Sequence, residues 1–306
     1  LTVPAHTLYD IVRKLPEGAE VSLEADGENN RVLVLAGRSK FTLPLLPADE
    51  FPAMSDEELP CCFSLGSDDS RALIDKTRFA ISNEETRYYL NGIFFHASKT
   101  SDVPMLRAVA TDGHRLARVE IPLPEGAKEM PNIIIPRKAI TEVRKLIDDW
   151  SDDIDISLSE TKICFSIGDI ILSTKLIDGT FPDYERVIPS GNDKNMRVNC
   201  NDLSEAVDRV STISTEKSRA IKLHLSNNNL VLSANSPESG TAIEELEVNY
   251  NGEMIEIGFN SRYLLDIANQ IEGENVEFSM ADPGSPTILR DQEDTSALYV
   301  LMPMRV

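Results

Sequence analysis

Three stretches of the 306-residue chain repeat one pattern and decide its fold: Val3-Pro4-Ala5-His6-Thr7-Leu8, Ile135-Pro136-Arg137-Lys138-Ala139-Ile140 and Phe259-Asn260-Ser261-Arg262-Tyr263-Leu264. Each stretch predicts the start of a helix. Pro4 and Pro136 stand near the first turn, where the missing N–H costs nothing, and Asn260 is a candidate N-cap. A pattern that returns along a chain indicates an architecture built from repeated units.

Apolar residues recur behind each start at the spacing of one helix face. They are Leu8, Ile11, Val12 and Leu15 in the first copy, Ile140, Val143 and Ile147 in the second, and Leu264, Ile267, Ala268 and Ile271 in the third. An alternating strand is predicted after each helix, at 20–24, 153–158 and 275–280. We therefore expect one buried face on each helix.

The repeated units also end alike, on Phe51-Pro52, Phe181-Pro182 and Met302-Pro303. A second type of helix, predicted at 70–82 and 202–213, precedes the last two units. This arrangement predicts two whole domains, 63–190 and 191–306, each of which repeats a helix-plus-strands half-unit twice. Residues 1–62 are then expected to form the second half of another domain, whose first half lies upstream.

The chain is strongly acidic, with a formal net charge of −21 at pH 7. The five predicted helices together carry +4, which leaves −25 for the strands and loops. Because phosphates attract Lys and Arg, this balance argues against nucleic-acid binding on an open surface. A chain of this charge that stays on DNA needs something other than affinity, such as a closed ring whose helices face the duplex.

Several classes of protein are disfavoured by composition. No apolar run reaches the roughly 18 residues of a membrane span, and no secretory signal is visible at the start. The four cysteines lack the spacing of a zinc site and are interpreted as free thiols in a reducing cytoplasm: Cys61, Cys62, Cys164 and Cys200. We expect a cytoplasmic protein without metal or cofactor.

Catalysis is the alternative suggested by Thr111-Asp112-Gly113-His114-Arg115, in which Asp112 would orient His114 as a base. No GxSxG supplies a nucleophile, and neither a P-loop nor a GxGxxG motif occurs. The other histidines, His6, His96 and His224, are scattered singly, which disfavours a metal site. We therefore expect a protein that is not an enzyme.

Four motifs carry a resemblance to a known family: Arg87-Tyr88-Tyr89-Leu90-Asn91-Gly92, Ala110-Thr111-Asp112-Gly113-His114-Arg115-Leu116-Ala117, Phe181-Pro182-Asp183-Tyr184-Glu185-Arg186-Val187 and Tyr299-Val300-Leu301-Met302-Pro303-Met304-Arg305-Val306. In order and separation they resemble the bacterial β sliding clamp, the β subunit of DNA polymerase III, along the whole chain. The resemblance implies an α+β fold of repeated DNA-clamp domains, with helices lining a central channel and antiparallel sheets forming the outer wall of a ring. It implies a processivity factor that encircles duplex DNA without sequence specificity.

In that family a hydrophobic pocket receives short linear peptides. The peptides belong to the replicative polymerase alpha subunit, the clamp loader, translesion polymerases, mismatch-repair proteins and ligase. Methionines suit a site that accepts several sequences, although core filling is the alternative for Met302 and Met304. Carried over by motif, the pocket residues are Arg87, Leu90, Thr111, Gly113, His114, Arg115, Leu116, Pro182, Arg186, Val187, Asn260, Tyr263, Val300, Met302, Pro303, Met304 and Arg305.

The resemblance also implies contacts with double-stranded DNA and with a second subunit. Arg137 and Lys138 are the expected phosphate partners, and Tyr88 and Tyr89 are candidate stacking or backbone contacts, with strand packing as the alternative. The homodimer interface is expected where one subunit packs on Thr212 and Ile213 of the other. The residues expected from the first subunit are Leu8, Ile11 and Leu15, with Arg38 and Lys40 on a basic edge strand nearby.

Two rival functions make different predictions. An enzyme would lose its turnover in a His114→Ala variant. A repeat scaffold that works without DNA would bind the same peptides but would not be retained on circular DNA.

Overall fold

The computed structural model describes residues 2–26, 29–46, 58–98, 103–214 and 219–305. The chain divides into two compact units, Leu1–Glu57 and Glu58–Val306. The predicted unit end at Phe51-Pro52 lies outside the described residues. Among the described helices, none is long and apolar enough to cross a membrane.

The first unit contains one helix and one antiparallel sheet of three strands, in the order β1-β2-β3. Its elements are α1 (Ala5–Val12), β1 (Ser22–Asp26), β2 (Arg31–Ala36) and β3 (Ser39–Pro44). Alternation along β2 points Val32 and Val34 into a small core, where Leu43 joins them. This unit is therefore held by very few fully buried side chains.

The predicted buried face of the first helix is wrong within this unit. No residue of α1 is buried. Leu8 and Ile11 are half-buried against the Val32–Val34 core, and Val12 is 42% exposed. The apolar residues do share one face of the helix, but the three short strands offer too small an apolar surface to bury it.

The second unit consists of four copies of one segment, in which a strand and a helix precede three further strands. The first copy contains β4 (Cys61–Leu65), α2 (Ser67–Arg78), β5 (Gly92–Ser98), β6 (Met105–Thr111) and β7 (Arg115–Pro122). The second contains β8 (Ile133–Pro136), α3 (Arg137–Leu146), β9 (Ile154–Leu158), β10 (Lys162–Ile167) and β11 (Ile170–Lys175). The third contains β12 (Lys194–Asn199), α4 (Cys200–Ser211), β13 (Ala220–Ser226), β14 (Asn229–Ser236) and β15 (Gly240–Glu247). The fourth contains β16 (Ile255–Asn260), α5 (Ser261–Ala268), β17 (Asn275–Met280), β18 (Thr287–Asp291) and β19 (Ala297–Leu301).

The copies are interlocked in pairs, because the leading strand of each copy joins the sheet of its neighbour. Strand β4 pairs with β9 and β8 with β5, while β12 pairs with β17 and β16 with β13. Strand β19 then pairs with β7, which gives one antiparallel sheet of eight strands in the order β12-β17-β18-β19-β7-β6-β5-β8. This sheet joins the second copy pair to the first.

The remaining helices follow the predicted pattern, but α2 and α4 begin and end two to four residues earlier than the predicted 70–82 and 202–213. The Asn260 side chain caps α5 by accepting the N–H groups of Arg262 at 3.0 Å and Tyr263 at 3.4 Å, so the predicted cap is confirmed. Ile140, Val143 and Ile147 are buried, as predicted, and so are Leu264, Ile267 and Ala268 of α5. Ile271, predicted for the same face, lies beyond the end of α5 and is half-buried. Helix α2 packs on α3, and α4 packs on α5.

Helix α2 is also tied to the segments around β17 and β19 through Lys76. Its Nζ lies 2.7 Å from Asp294 Oδ2 and 3.5 Å from Glu272 Oε1, and Lys76 is only 8% exposed. Burial by itself would lower the pKa of Lys76, but the two carboxylates outweigh burial and raise it. The Lys76 ammonium is therefore a charged link across the junction of the two copy pairs.

Replacing this link with an apolar side chain of similar length should destabilise the second unit. The Lys76→Met variant leaves the partly buried Asp294 without its cation, so we expect the free energy of unfolding to fall by about 2 kcal/mol. Urea denaturation measures it. Lys145→Met, which removes a 65% exposed cation paired with Glu142, is the matched control and should change stability by less than about 0.5 kcal/mol. Equal effects of the two variants would contradict the assignment.

Candidate functional site

The pairing of β7 with β19 places two apolar side chains next to each other on the face of the eight-stranded sheet that is turned away from α2 and α5. Leu116 is directly opposite Val300, and each is 2% exposed. The chain stays attached beyond β19, since the Met302 N–H donates to the His114 carbonyl oxygen at 2.9 Å. Leu116 and Val300 come from different copy pairs, so this apolar surface exists only where the two meet.

The turn between β6 and β7 forms one rim of this surface. Gly113 has φ +89°, a conformation that glycine adopts without strain. The Asp112 carboxylate accepts the N–H groups of His114 at 2.9 Å and Arg115 at 3.0 Å. The Thr111 hydroxyl donates to the Arg115 carbonyl oxygen at 2.7 Å. These bonds satisfy the backbone of the turn and hold it in one shape.

Arg115 points to the opposite face of the sheet and fastens the junction there. Its guanidinium donates to Asp112 Oδ2 at 3.1 Å, Asp266 Oδ2 at 2.5 Å and the Phe79 carbonyl oxygen at 2.6 Å. It also lies 4.3 Å from the centre of the Tyr263 ring, within cation–π range. Arg115 thus connects α2 and α5 behind the apolar surface.

The opposite rim is the short 3₁₀ turn Tyr184–Val187, which a buried polar network holds against the sheet. Arg107 donates from Nη1 to the Tyr184 hydroxyl at 3.3 Å and to Glu185 Oε1 at 2.7 Å. His96 Nε2 shares a hydrogen bond of 3.0 Å with the same hydroxyl. Burial lowers the pKa of His96 and raises that of Tyr184, so burial favours the neutral form of both groups.

Between the two rims lies a cavity of about 250 Å³, called here the Leu116–Val300 cavity. Leu90, Leu116 and Val300 form a buried apolar floor, whereas Val187 and Met302 on the rim are 49% and 39% exposed. Burying one apolar side chain in such a slot stabilises a complex by roughly 1.5–3 kcal/mol. The cavity is therefore suited to apolar anchor residues that arrive from solvent.

Ten residues predicted for the pocket line this cavity: Arg87, Leu90, Thr111, Gly113, Arg115, Leu116, Pro182, Val187, Val300 and Met302. Arg115 borders the cavity although its guanidinium lies on the helical side of the sheet. Three further lining residues were not predicted for it, namely Tyr89, Asp183 and Tyr184. Tyr89 had been considered for DNA instead. Asp183 and Tyr184 belong to the motif that begins at Phe181, so the signal was present, although their role depends on the network with Arg107 and His96.

The remaining predicted pocket residues lie outside the cavity lining. The His114 ring stacks on that of Tyr263, with 6.3 Å between the ring centroids. The Met304 N–H donates to the Gly258 carbonyl oxygen at 2.9 Å. Arg186 is 84% exposed and pairs with Asp183 at 2.6 Å. Asn260 caps α5, as described above, Pro303 is half-buried and Arg305 is exposed.

The residues predicted to contact DNA have different surroundings. Arg137 donates from Nη2 to the Ile81 carbonyl oxygen at 2.6 Å and to that of Ser82 at 3.1 Å, and burial lowers its pKa. Its guanidinium is therefore already bound to the backbone that follows α2. Lys138 is exposed, and so is Tyr88, at 54%.

The predicted interface residues are accessible in the chain. Leu8, Ile11, Leu15 and Ile213 are half-buried, while Arg38, Lys40 and Thr212 are exposed. The Thr212 hydroxyl is already used, since it donates to the Arg209 carbonyl oxygen at 2.8 Å at the end of α4.

The catalytic alternative finds no support in the geometry. Asp112 uses its carboxylate on two backbone N–H groups and on Arg115, and the His114 ring stacks on Tyr263. Across the described ranges, no group of His, Cys, Asp and Glu side chains is placed to hold a metal ion. All four cysteines carry free thiols.

Family comparisons cover nearly the whole chain. Residues 1–55 match the N-terminal domain of the DNA polymerase III beta subunit, residues 64–183 match its central domain, and residues 185–305 match its C-terminal domain. The beta sliding clamp of Caulobacter vibrioides strain NA1000 is 51% identical over 306 residues, which are all of this chain and 82% of the relative. That of Escherichia coli K12 is 40% identical over 307 aligned positions, covering all of this chain and 81% of the relative.

Solved structures agree with this similarity. A sliding clamp from Bartonella birtlesii bound to griselimycin superposes with a TM-score of 0.91 at 50% identity, over 99% of this chain and 81% of that one. The DNA polymerase sliding clamp from Caulobacter crescentus gives a TM-score of 0.90 at 51% identity, with the same two coverages.

The hydrogen bonds that join Tyr184 to Arg107 and His96 should contribute measurably to the free energy of unfolding. Tyr184→Phe removes the hydroxyl to which Arg107 and His96 are hydrogen-bonded, and it leaves polar atoms of both side chains without that partner. We therefore expect the free energy of unfolding to fall by about 1–2 kcal/mol. Tyr88→Phe is the matched control, because Tyr88 is 54% exposed. Chemical denaturation of both variants tests this, and a Tyr184→Phe protein as stable as the control would show that the network does not hold the rim.

Proposed function

The chain belongs to the family of DNA polymerase III beta subunits, the bacterial beta sliding clamps, and on that basis we propose that its Leu116–Val300 cavity binds short peptides of partner proteins. Its function is that of a sliding clamp, a non-catalytic processivity factor for DNA polymerase III. The observation that carries the proposal is the buried apolar floor between two exposed rims, built where β19 joins β7.

Peptide binding suits this cavity better than binding of a small polar ligand. The floor is apolar, whereas Arg87 on the rim is neutralised by Glu84 at 2.8 Å and Asp183 by Arg186 at 2.6 Å. The remaining recognition is then by shape and apolar contact, which a leucine or phenylalanine anchor provides. Flexible Met302 allows the rim to adapt to different sequences.

Partner proteins are proposed from the family. They are the replicative polymerase alpha subunit, the clamp loader, translesion polymerases, mismatch-repair proteins and ligase. Each would dock through one extended peptide, so that they compete for one cavity. The cytoplasm, where these partners replicate the chromosome, is the proposed location.

Ring formation is proposed from the repetition of the fold. Strand β7 ends the first copy and receives β19, the last strand of the fourth copy, at its edge. Strand β15 ends the third copy in the same way, and within the described residues its outer edge is unpaired. By the same rule it would receive the last strand of a copy from a second subunit, and β3 is such a strand with a free edge.

The charges on these two edges are complementary. Glu245 and Glu247 on β15 are exposed, and so are Arg38 and Lys40 at the start of β3. Pairing β15 of one subunit with β3 of the other would close a homodimer and cover the exposed Ile243. The predicted contact of Leu8, Ile11 and Leu15 with Thr212 and Ile213 belongs to the same interface.

DNA would be held by this ring rather than by strong attraction. With a net charge of −21 the chain as a whole repels phosphate, so DNA binding to open protein is expected to be weak and salt-sensitive. Lys138 is the exposed cation proposed to contact the phosphate backbone of the DNA. Arg137 is already hydrogen-bonded to the protein backbone that follows α2.

Peptide binding can be tested by fluorescence anisotropy with a labelled Gln-x-x-Leu-Phe peptide. The intact chain should bind with roughly −7 to −9 kcal/mol, in the micromolar range. Val187→Asp on the exposed rim should weaken binding by at least about tenfold, because it places a charge against apolar anchors. Ile171→Asp is the matched control, because Ile171 is 70% exposed on β11 and outside the cavity lining, and it should bind like the native chain.

A chain that folds normally but shows no binding at high micromolar concentration would contradict the proposal. Equal weakening by Val187→Asp and Ile171→Asp would place the peptide elsewhere.

Subunit pairing can be tested by a charge swap. Lys40→Glu should weaken the homodimer because it opposes Glu245, and Glu245→Lys should do the same because it opposes Lys40. Combining the two substitutions should restore dimerisation, which sedimentation velocity measures. Failure of the double variant to recover would show that β3 and β15 do not meet in the proposed way.

A further inference from the structure

Two guanidinium groups lie beside the Leu116–Val300 cavity on the same face of the sheet. Arg118 follows Leu116 by two residues on β7 and therefore points to the same side. On β18, Ile288 pairs with Val300 and belongs to the same apolar cluster as Leu116, and Arg290 follows it by two residues. Leu298, which pairs with Arg118, lies between the two arginines.

Within the described residues, neither arginine is hydrogen-bonded to a carboxylate. Arg118 makes only a long ion pair, with 3.8 Å between its Nη2 and Glu120 Oε1, while Glu120 Oε2 accepts a hydrogen bond from Arg107 Nε at 2.8 Å. The buried Nε of Arg118 has no hydrogen-bond partner among the described residues. Arg290 is exposed, and its cross-strand neighbour Glu277 pairs instead with Arg197 at 2.9 Å.

The electrostatic surroundings of Arg118 agree with an excess of positive charge. Burial lowers its pKa, Glu120 partly offsets this, and the guanidinium groups of Arg107 and Arg290 lower it further. In a chain of net charge −21, this is a local patch of the opposite sign that adjoins an apolar slot.

We propose that Arg118 and Arg290 form a seat for an acidic residue of the docked peptide, one that flanks its apolar anchors. The inference rests on the proposed peptide function of the cavity and adds a determinant of which partners bind well. A peptide carboxylate would give these two guanidinium groups the hydrogen-bonded anion that neither has in the free chain. Two residues of β7 span roughly 7 Å, so a side chain one to three residues beyond an anchor reaches the seat.

A set of three labelled peptides tests the seat. All carry the same Leu-Phe anchors: the first has Gln-Gln on both sides, the second has Glu-Glu before the anchors, and the third has Glu-Glu after them. One of the two acidic peptides should bind the native chain about threefold to tenfold more tightly than the neutral one at low salt. The overall negative charge works against this preference, so observing it requires a local attraction.

The preference should disappear in the Arg118→Gln/Arg290→Gln variant, while the affinity for the neutral peptide stays within about twofold. Raising salt from about 0.05 M to 0.5 M should reduce it in the native chain. Because Arg118 is largely buried, Arg290→Gln alone serves as a second variant and should lose part of the preference without affecting folding. Lys145→Gln/Lys175→Gln, which removes two exposed cations elsewhere, should retain it.

Equal affinity of the native chain for all three peptides would overturn the seat and leave the peptide site intact. Survival of the preference in the double variant would overturn it as well. If none of the three peptides binds, the proposed function of the cavity fails, and the seat fails with it.

Discussion

The hydrogen-bonded pairing of β7 with β19 is the interaction on which the functional part of the chain depends. It fuses sheets from two copy pairs into one sheet of eight strands and sets Leu116 opposite Val300. Arg115 and Lys76 reinforce the same junction on the helical side. Because a slip of one residue would turn either strand's side chains to the other face, the apolar floor exists only in this register.

The last strand of a copy produces one of two kinds of surface, depending on whether its edge is paired. Where the edge of a copy is paired within the chain, as at β7, the junction creates the Leu116–Val300 cavity, the proposed peptide site. Where the edge is left free, as at β15 and β3 in the described residues, it is available to a second subunit. Holding on to DNA then requires little attraction from an acidic chain, since a closed ring retains the duplex by topology.

The helix starts and the repeated half-units could be predicted from sequence, because proline, asparagine and apolar spacing act within a few residues of one another. Asn260 is the clearest case, since its cap involves only the next three residues. The exposure of α1 could not be predicted in this way, because spacing identifies the apolar face of a helix but not the apolar area available to cover it. The hydrogen bonds of Arg137 could not be predicted from local spacing either, because they go to carbonyl oxygens more than 50 residues earlier in the chain.

Most residues that line the cavity could be predicted from sequence motifs, but the hydrogen bonds that support its rim at Tyr184 could not. Tyr184 contacts His96 and Arg107 across 88 and 77 residues of sequence, and no local pattern marks such a contact. The weak pairing of Arg118 is likewise visible only in three dimensions, because Glu120 lies two residues away yet accepts its hydrogen bond from Arg107.

Amide hydrogen exchange with and without a Gln-x-x-Leu-Phe peptide tests the central claim most directly. The account predicts slow exchange of residues 115–119 and 297–301 as one cooperative unit, and slower exchange of 111–114 and 182–187 once peptide is bound. Strands β13 to β15 should be unaffected. Fast exchange across β7 and β19, or no change at either rim with saturating peptide, would contradict the claim that this junction builds the peptide site.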